Sequence, residues 1–324
     1  MTGERLGRND LRVAWLLGAL AFGCLGHPVS AAAPAKEPPI VRIHEGEHWV
    51  WYARQDQFDA HRQDIERYFD YADRAFEHLA ASWGLKPPQK KYTLLVWPKT
   101  GGGFAGDVRA VRAVTGKRAP GIGVSYDAFF NVANGIKGYW GHVLITHEMV
   151  NLFTAAVVSP GWPVDWWANH KSPFPLMTAV QIEYALVPEV AVHHARQQDT
   201  PLGRMFLRLK DQFGWAMFRR AFAAAIDDGI RWDRFGGNPS ALRTNMVCAY
   251  LKHGAAEDLA GYMEGVVPSF NAKTVGDILE ARARWRALPE GDPKRARLKA
   301  AYLRGNYRAV LVSGDPSSSG DGAR

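Results

Sequence analysis

Gly138-Tyr-Trp-Gly-His-Val-Leu-Ile-Thr-His-Glu-Met-Val-Asn-Leu-Phe-Thr-Ala-Ala-Val-Val158 decides how the rest of this chain is read. Residues 143–158 are apolar on nearly every side, the pattern of a helix buried all round rather than one lying on a surface. One narrow polar line interrupts it. His147, Asn151 and Thr154 stand at i, i+4 and i+7 and so share a face, with Glu148 the next side chain round. An ionised glutamate in such a helix is costly unless a cation, a metal or a proton meets it. The line is therefore expected to border a cleft.

Downstream, residues 159–175 hold four prolines and read as an ordered aromatic loop rather than a helix. Its Trp162, Trp166 and Trp167 are candidates for a platform under a peptide or sugar, or for anchors of the loop. Upstream, Gly101-Gly-Gly-Phe-Ala-Gly106 follows a strand at 91–97, and a second strand at 121–127 ends in Asp127. On paper this is a dinucleotide fingerprint. Pro98-Lys99-Thr100 pulls the glycines away from the strand end, however, and residues 108–115 are short for a crossover helix. The glycines read instead as a loop between strands beside a cleft. A second trap is His44-Glu45-Gly46-Glu47-His48, a literal H-E-x-x-H. Two histidines four apart converge on a metal only on a helix, and the Gly46 turn with alternating aromatic flanks makes this a hairpin.

Residues 58–83 read as one long amphipathic helix, stopped by Gly84, Pro87 and Pro88. Residues 178–194 are helical with Pro188 as a breaker, and His193 and His194 are expected at the surface. Further helices are expected over 202–213, 215–227, 241–253, 256–265 and 275–285, and the basic run 281–299 is read as a solvated face. Residues 1–35 read as a secretory signal: Arg5, Arg8 and Arg12, an apolar core at 13–25, then small residues before a cleavage site. Residues 313–324 read as a disordered tail. Removing residues 1–35 takes three arginines and two acids with it, so the net charge of +8 falls to +7. It also removes Cys24, leaving Cys248 without a partner, which suits a periplasmic or secreted protein that needs no bridge. No apolar run is long enough for a membrane span. No nucleic-acid motif is present, and a nucleic-acid partner is not expected.

The order of elements resembles the gluzincin metallopeptidases: strand, long helix, strand, glycine loop, strand, polar-striped helix, Trp-Pro loop, then a helical half. The resemblance runs over about residues 41–285. It implies an α+β fold, with a zincin-like N-terminal α/β subdomain at 36–158 and a mainly helical subdomain at 159–312. It further implies zinc as cofactor, His147 as a ligand, and Glu148 as the general base of peptide or amide hydrolysis. Asn151 departs from the family, standing where H-E-x-x-H has its second histidine, and an amide oxygen is the weaker donor. The family's third-ligand segment aligns with Trp166-Trp-Ala-Asn169, which has no glutamate. His170 and Asp165 are the substitutes in its neighbourhood, with Glu183 a further candidate. The implied partner is a peptide or glycopeptide. The alternative is a degenerate zincin fold that binds peptide or glycan without cutting it.

Overall fold

Two alternating segments open the folded chain. β1 (Ile40–Glu45) and β2 (Trp49–Arg54) pair antiparallel around a turn in which Gly46 N–H donates to Trp49 O at 2.8 Å. Trp49, Trp51 and Ala53 are buried and alternate with half-buried neighbours, the period of a strand with one face in the core. The expected hairpin is therefore present, and its literal motif lies on no helix. The computed structural model describes residues 37–154, 173–235 and 240–313.

The single helix expected over 58–83 is two helices, α1 (Gln55–Glu66) and α2 (Phe69–Trp83). The break at Arg67-Tyr68 has a tertiary cause. Tyr68 donates its hydroxyl to Gly138 O at 2.5 Å, and its ring leaves no room for a Cβ at Gly141. Arg67 donates to Phe129 O at 3.1 Å.

β3 (Tyr92–Trp97), β4 (Gly103–Asp107), α3 (Arg109–Thr115) and β5 (Pro120–Ser125) complete a mixed sheet in the order β1-β2-β3-β5-β4. β2, β3 and β5 run parallel, while β4 returns antiparallel along the outer side of β5. The glycine segment is thus not all loop: Gly103–Asp107 forms the edge strand. Gly103 and Gly106 lie inside that strand, and α3 opens only after it at Arg109, so the glycines do not form the helix N-terminus that a dinucleotide phosphate needs. A small hairpin of β6 (Val132–Ala133) and β7 (Ile136–Lys137) follows, turning on Asn134 and Gly135, both at positive φ.

The sheet has two faces. Leu95 joins Val108, Val111 and Ala119 in a small cluster on the α3 side. Leu94, Val96, Ile122 and Val124 face the main core together with α2 and α4 (Gly141–Phe153). The helical half follows: α5 (Pro173–Leu186), α6 (Pro188–His194), α7 (Pro201–Asp228), α8 (Ala241–Ala255), α9 (Ala260–Met263), α10 (Ala272–Arg286), α11 (Pro293–Leu303) and α12 (Tyr307–Val312). α5 begins at Pro173, so the end of the expected loop is a first helical turn, where proline costs no hydrogen bond. Gly214, at φ 65°, breaks α7 where the sequence expected two helices. The helix expected over 256–265 shrinks to α9, because Ala256 ends α8 in the left-handed conformation.

One apolar cluster runs from Trp49 to Val310, and Trp83 is its joint. Its ring meets Phe153 of α4 at 6.4 Å, Phe174 of α5 at 5.7 Å and Phe222 of α7 at 5.0 Å. Arg219 of α7 donates to Ala81 O and Ser82 O at 2.7 Å each, a cation on the carbonyl end of α2. The basic run 281–299 is not simply a solvated face. Arg282, 9% exposed, donates to the fully buried Asp228 at 2.5 Å, and Tyr250 and Arg286 donate to the same carboxylate. Among the described residues no helix is long and apolar enough to cross a membrane.

Candidate functional site

α4 is entered through Gly138, at φ 68°, where a Cβ would collide with Tyr68, Arg67 and the Phe129 carbonyl. Only glycine turns the chain this tightly. Tyr139 and Trp140 follow, and then Val143, Ile145, Met149, Val150, Leu152 and Phe153 bury the helix.

The polar line expected from the sequence is present. His147 and Asn151 are half-buried, and Glu148 is 6% exposed. Asn151 Nδ2 donates to Glu148 Oε2 at 3.0 Å. Thr154 is fully buried and donates to Val150 O at 2.9 Å, so it belongs to the helix backbone rather than to a cleft.

Glu148 lies over the edge strand. A Cβ on Gly103 would stand 2.7 Å from Glu148 Cγ and 2.9 Å from its Oε1, so the glycine is what lets the carboxylate lie against β4. Trp140 and Leu144 continue the same stripe of α4 by one and two turns. Both line a cavity of about 490 Å³ with Gly101, Gly102, Asp127 and Asn131. Asp127 folds the glycines toward it, accepting from Gly101 N–H at 3.2 Å and from Asn131 Nδ2 at 3.3 Å.

The opposite face of α4 is also polar, a feature the sequence reading missed. His142 packs its ring 4.5 Å from Tyr71 and 4.7 Å from Tyr68, and Tyr71 shares a 2.6 Å hydrogen bond with Thr146. Burial holds the His142 imidazole down to about 3, with the charges of Arg67 and His194 adding to it. Burial likewise pushes the Tyr71 hydroxyl well above its ordinary range.

Beside this face, Glu183 of α5 and His194 of α6 form a fully buried pair at 2.8 Å. Burial raises the Glu183 carboxyl, and the His194 hydrogen bond works against that rise. His194 is therefore not a surface residue, while His193 is exposed. Glu183, a candidate ligand by sequence, is engaged by His194. The His194 ring lies 4.2 Å from Tyr139 and 5.6 Å from Trp140, so the pair supports the aromatic wall of the cavity from behind. Only an apolar setting on both helices could have signalled this pair.

His170, Asp165, Trp162, Trp166 and Trp167 lie outside the described residues. Among the residues described, α4 offers two metal donors besides the carboxylate, the imidazole of His147 and Asn151 Oδ1. The latter oxygen is buried with no hydrogen-bond partner, an acceptor that an ion would satisfy. The donor set thus fits a divalent ion in kind. No family model matches the chain, and no curated protein and no solved structure matches it.

Proposed function

We propose that the chain is an exported, zincin-like metallopeptidase that hydrolyses peptide or related amide bonds in the groove between α4 and β4, with residues 1–35 as its export signal. The observation that carries this reading is Glu148. A carboxylate 6% exposed lies on a largely buried helix against a glycine of an edge strand, beside a cavity of about 490 Å³. Its place suits a general base. An edge strand takes an extended peptide by backbone pairing, which lays the scissile carbonyl along the row of side chains below. Glu148 takes a proton from the attacking water, and Asn151 Nδ2 steadies the carboxylate for that step. Zinc held by His147 and Asn151, completed from the segment carrying Asp165 and His170, would supply Lewis acidity toward the carbonyl.

Glu148→Gln keeps shape and removes the base. Turnover should fall by about 10²–10⁴-fold while bound metal and thermal stability stay unchanged. Equal turnover in that variant ends the mechanism.

A second reading is favoured by one contact. Asn151 turns its amide nitrogen to Glu148, where the family would place a second imidazole, and such a site suits a zincin fold that binds peptide or glycan without cutting it. Peptide binding with no hydrolysis in the wild type, together with loss of no metal on His147→Ala, would establish that reading.

A further inference from the structure

The β1–β2 turn is built with more care than a surface hairpin needs. Asp73 of α2 accepts from Glu47 N–H at 2.9 Å and from His48 N–H at 2.8 Å, and its carboxylate fills the space a Cβ on Gly46 would take. The His48 ring lies flat on Phe76, with centroids 4.3 Å apart and planes 15° apart. Its side chain is 19% exposed, and its Nε2 is buried without a hydrogen bond.

Glu77, the residue after Phe76, brings Oε1 to 3.5 Å from that nitrogen. Glu47 joins from the turn, so that one donor atom from each of Glu47, His48 and Glu77 lies within 4.8 Å of the others. Among the described residues this is the one such gathering of three.

These distances have a chemical reading. An N–O separation of 3.5 Å is long for a hydrogen bond, and none is made. A tetrahedral zinc ion with bonds of about 2.1 Å holds neighbouring donors about 3.4 Å apart. Two carboxylates this close repel each other unless a cation lies between them. One imidazole with two carboxylates suits zinc and its neighbours, whereas calcium and magnesium favour oxygen alone.

We propose that Glu47, His48 and Glu77 hold a zinc-class divalent ion that pins the β1–β2 turn to α2. The imidazole is already oriented by Phe76, Asp73 holds the backbone that carries it, and rotation of the exposed glutamates closes the shell, with water as fourth ligand. The site is separate from the α4 groove and does not depend on its chemistry.

The test is thermal unfolding of the full chain, stripped by chelator, with zinc or magnesium added. It is read in the wild type, in His147→Ala and in His147→Ala carrying E47Q/E77Q as well. Zinc at a hundredfold excess over its dissociation constant should raise Tm by about 5 °C in His147→Ala, so that the groove cannot be the cause. The same shift should vanish when E47Q/E77Q is added to His147→Ala. Both glutamates are exposed, so that variant folds and its metal-free Tm reports any damage. Persistence of the shift when E47Q/E77Q is added to His147→Ala, its absence in His147→Ala, or an equal shift with magnesium each overturns the proposal.

Discussion

His44-Glu45-Gly46-Glu47-His48 has both histidines of the motif and His147-Glu148-Met149-Val150-Asn151 only the first, yet only the second segment lies on a helix. On the hairpin the two imidazoles go separate ways along α2. His44 stacks on Phe69 at 4.0 Å and His48 on Phe76 at 4.3 Å. Those phenylalanines are seven residues apart, two turns of helix or about 10 Å, so no ion can touch both rings. Glu45 turns away to Lys91 at 2.5 Å. On α4, by contrast, positions three and four apart share a face, and Asn151 reaches Glu148 directly. Backbone geometry selects which letters of a motif become neighbours. The hairpin discards the motif's own partners and recruits Glu77 from another element.

The largest effect that can break this comparison is catalytic. If α4 carries the chemistry, Glu148→Gln costs about 10²–10⁴-fold in turnover and Glu45→Gln costs none. A peptide-hydrolysis assay of the two variants side by side checks it, and the reverse result would move the active site to the hairpin.

The strands and the polar helix face were legible because each is a local pattern. β2 alternates, β3 is a short apolar run, and the stripe on α4 follows helical spacing. What was illegible was fixed at long range. Arg67 and Tyr68 are acceptable helix residues, and the break between α1 and α2 is imposed by Gly138, about seventy positions on. Arg282 reads as a surface cation until Asp228, 54 residues away, is seen to bury it. His194 and Glu183 meet across the Pro188 break, which no single-helix wheel brings together. β4 was hidden by its glycines, which are poor strand formers and serve here to admit Glu148.

A comparison within α4 gives the next largest effect. On the face away from β4, His142 is neutral in the fold, with its imidazole held down to about 3 by burial first and then by Arg67 and His194. The unfolded chain protonates the same ring near 6.5. Below that pH the unfolded state therefore binds the extra proton, and stability falls as pH falls. The expected slope is about 1.4 kcal/mol per pH unit, levelling off toward pH 3. Urea midpoints at a series of pH values measure it. His142→Asn should flatten the profile between pH 6 and 4, and an unchanged slope would assign the acid sensitivity elsewhere.

The departure at Asn151 can be sharpened by reversing it. Asn151→His restores two imidazoles one turn apart, where a neutral amide oxygen stood. Zinc affinity should rise by about tenfold, worth about 1.4 kcal/mol, in competition with a chromophoric chelator. The variant also gives up the Nδ2 bond to Glu148, so a gain in affinity need not bring a gain in turnover. No change in affinity would mean that position 151 does not face the ion.

The smallest effect tests why the hairpin holds its shape at all. Asp73 is a single carboxylate accepting two backbone N–H groups, and Gly46 leaves it the room. Asp73→Asn keeps one acceptor oxygen and replaces the other with a donor that faces an N–H group. One charge-assisted bond is lost and the second is weakened. Because the site is half-buried, water can replace part of the loss, and the net cost should be about 1 kcal/mol. For a chain of this size that is a Tm lower by about 2–4 °C. Turnover should not change, because nothing in the turn reaches the α4 groove. A fall in activity without a fall in Tm would couple the hairpin to the groove and remove the contrast between the two motifs.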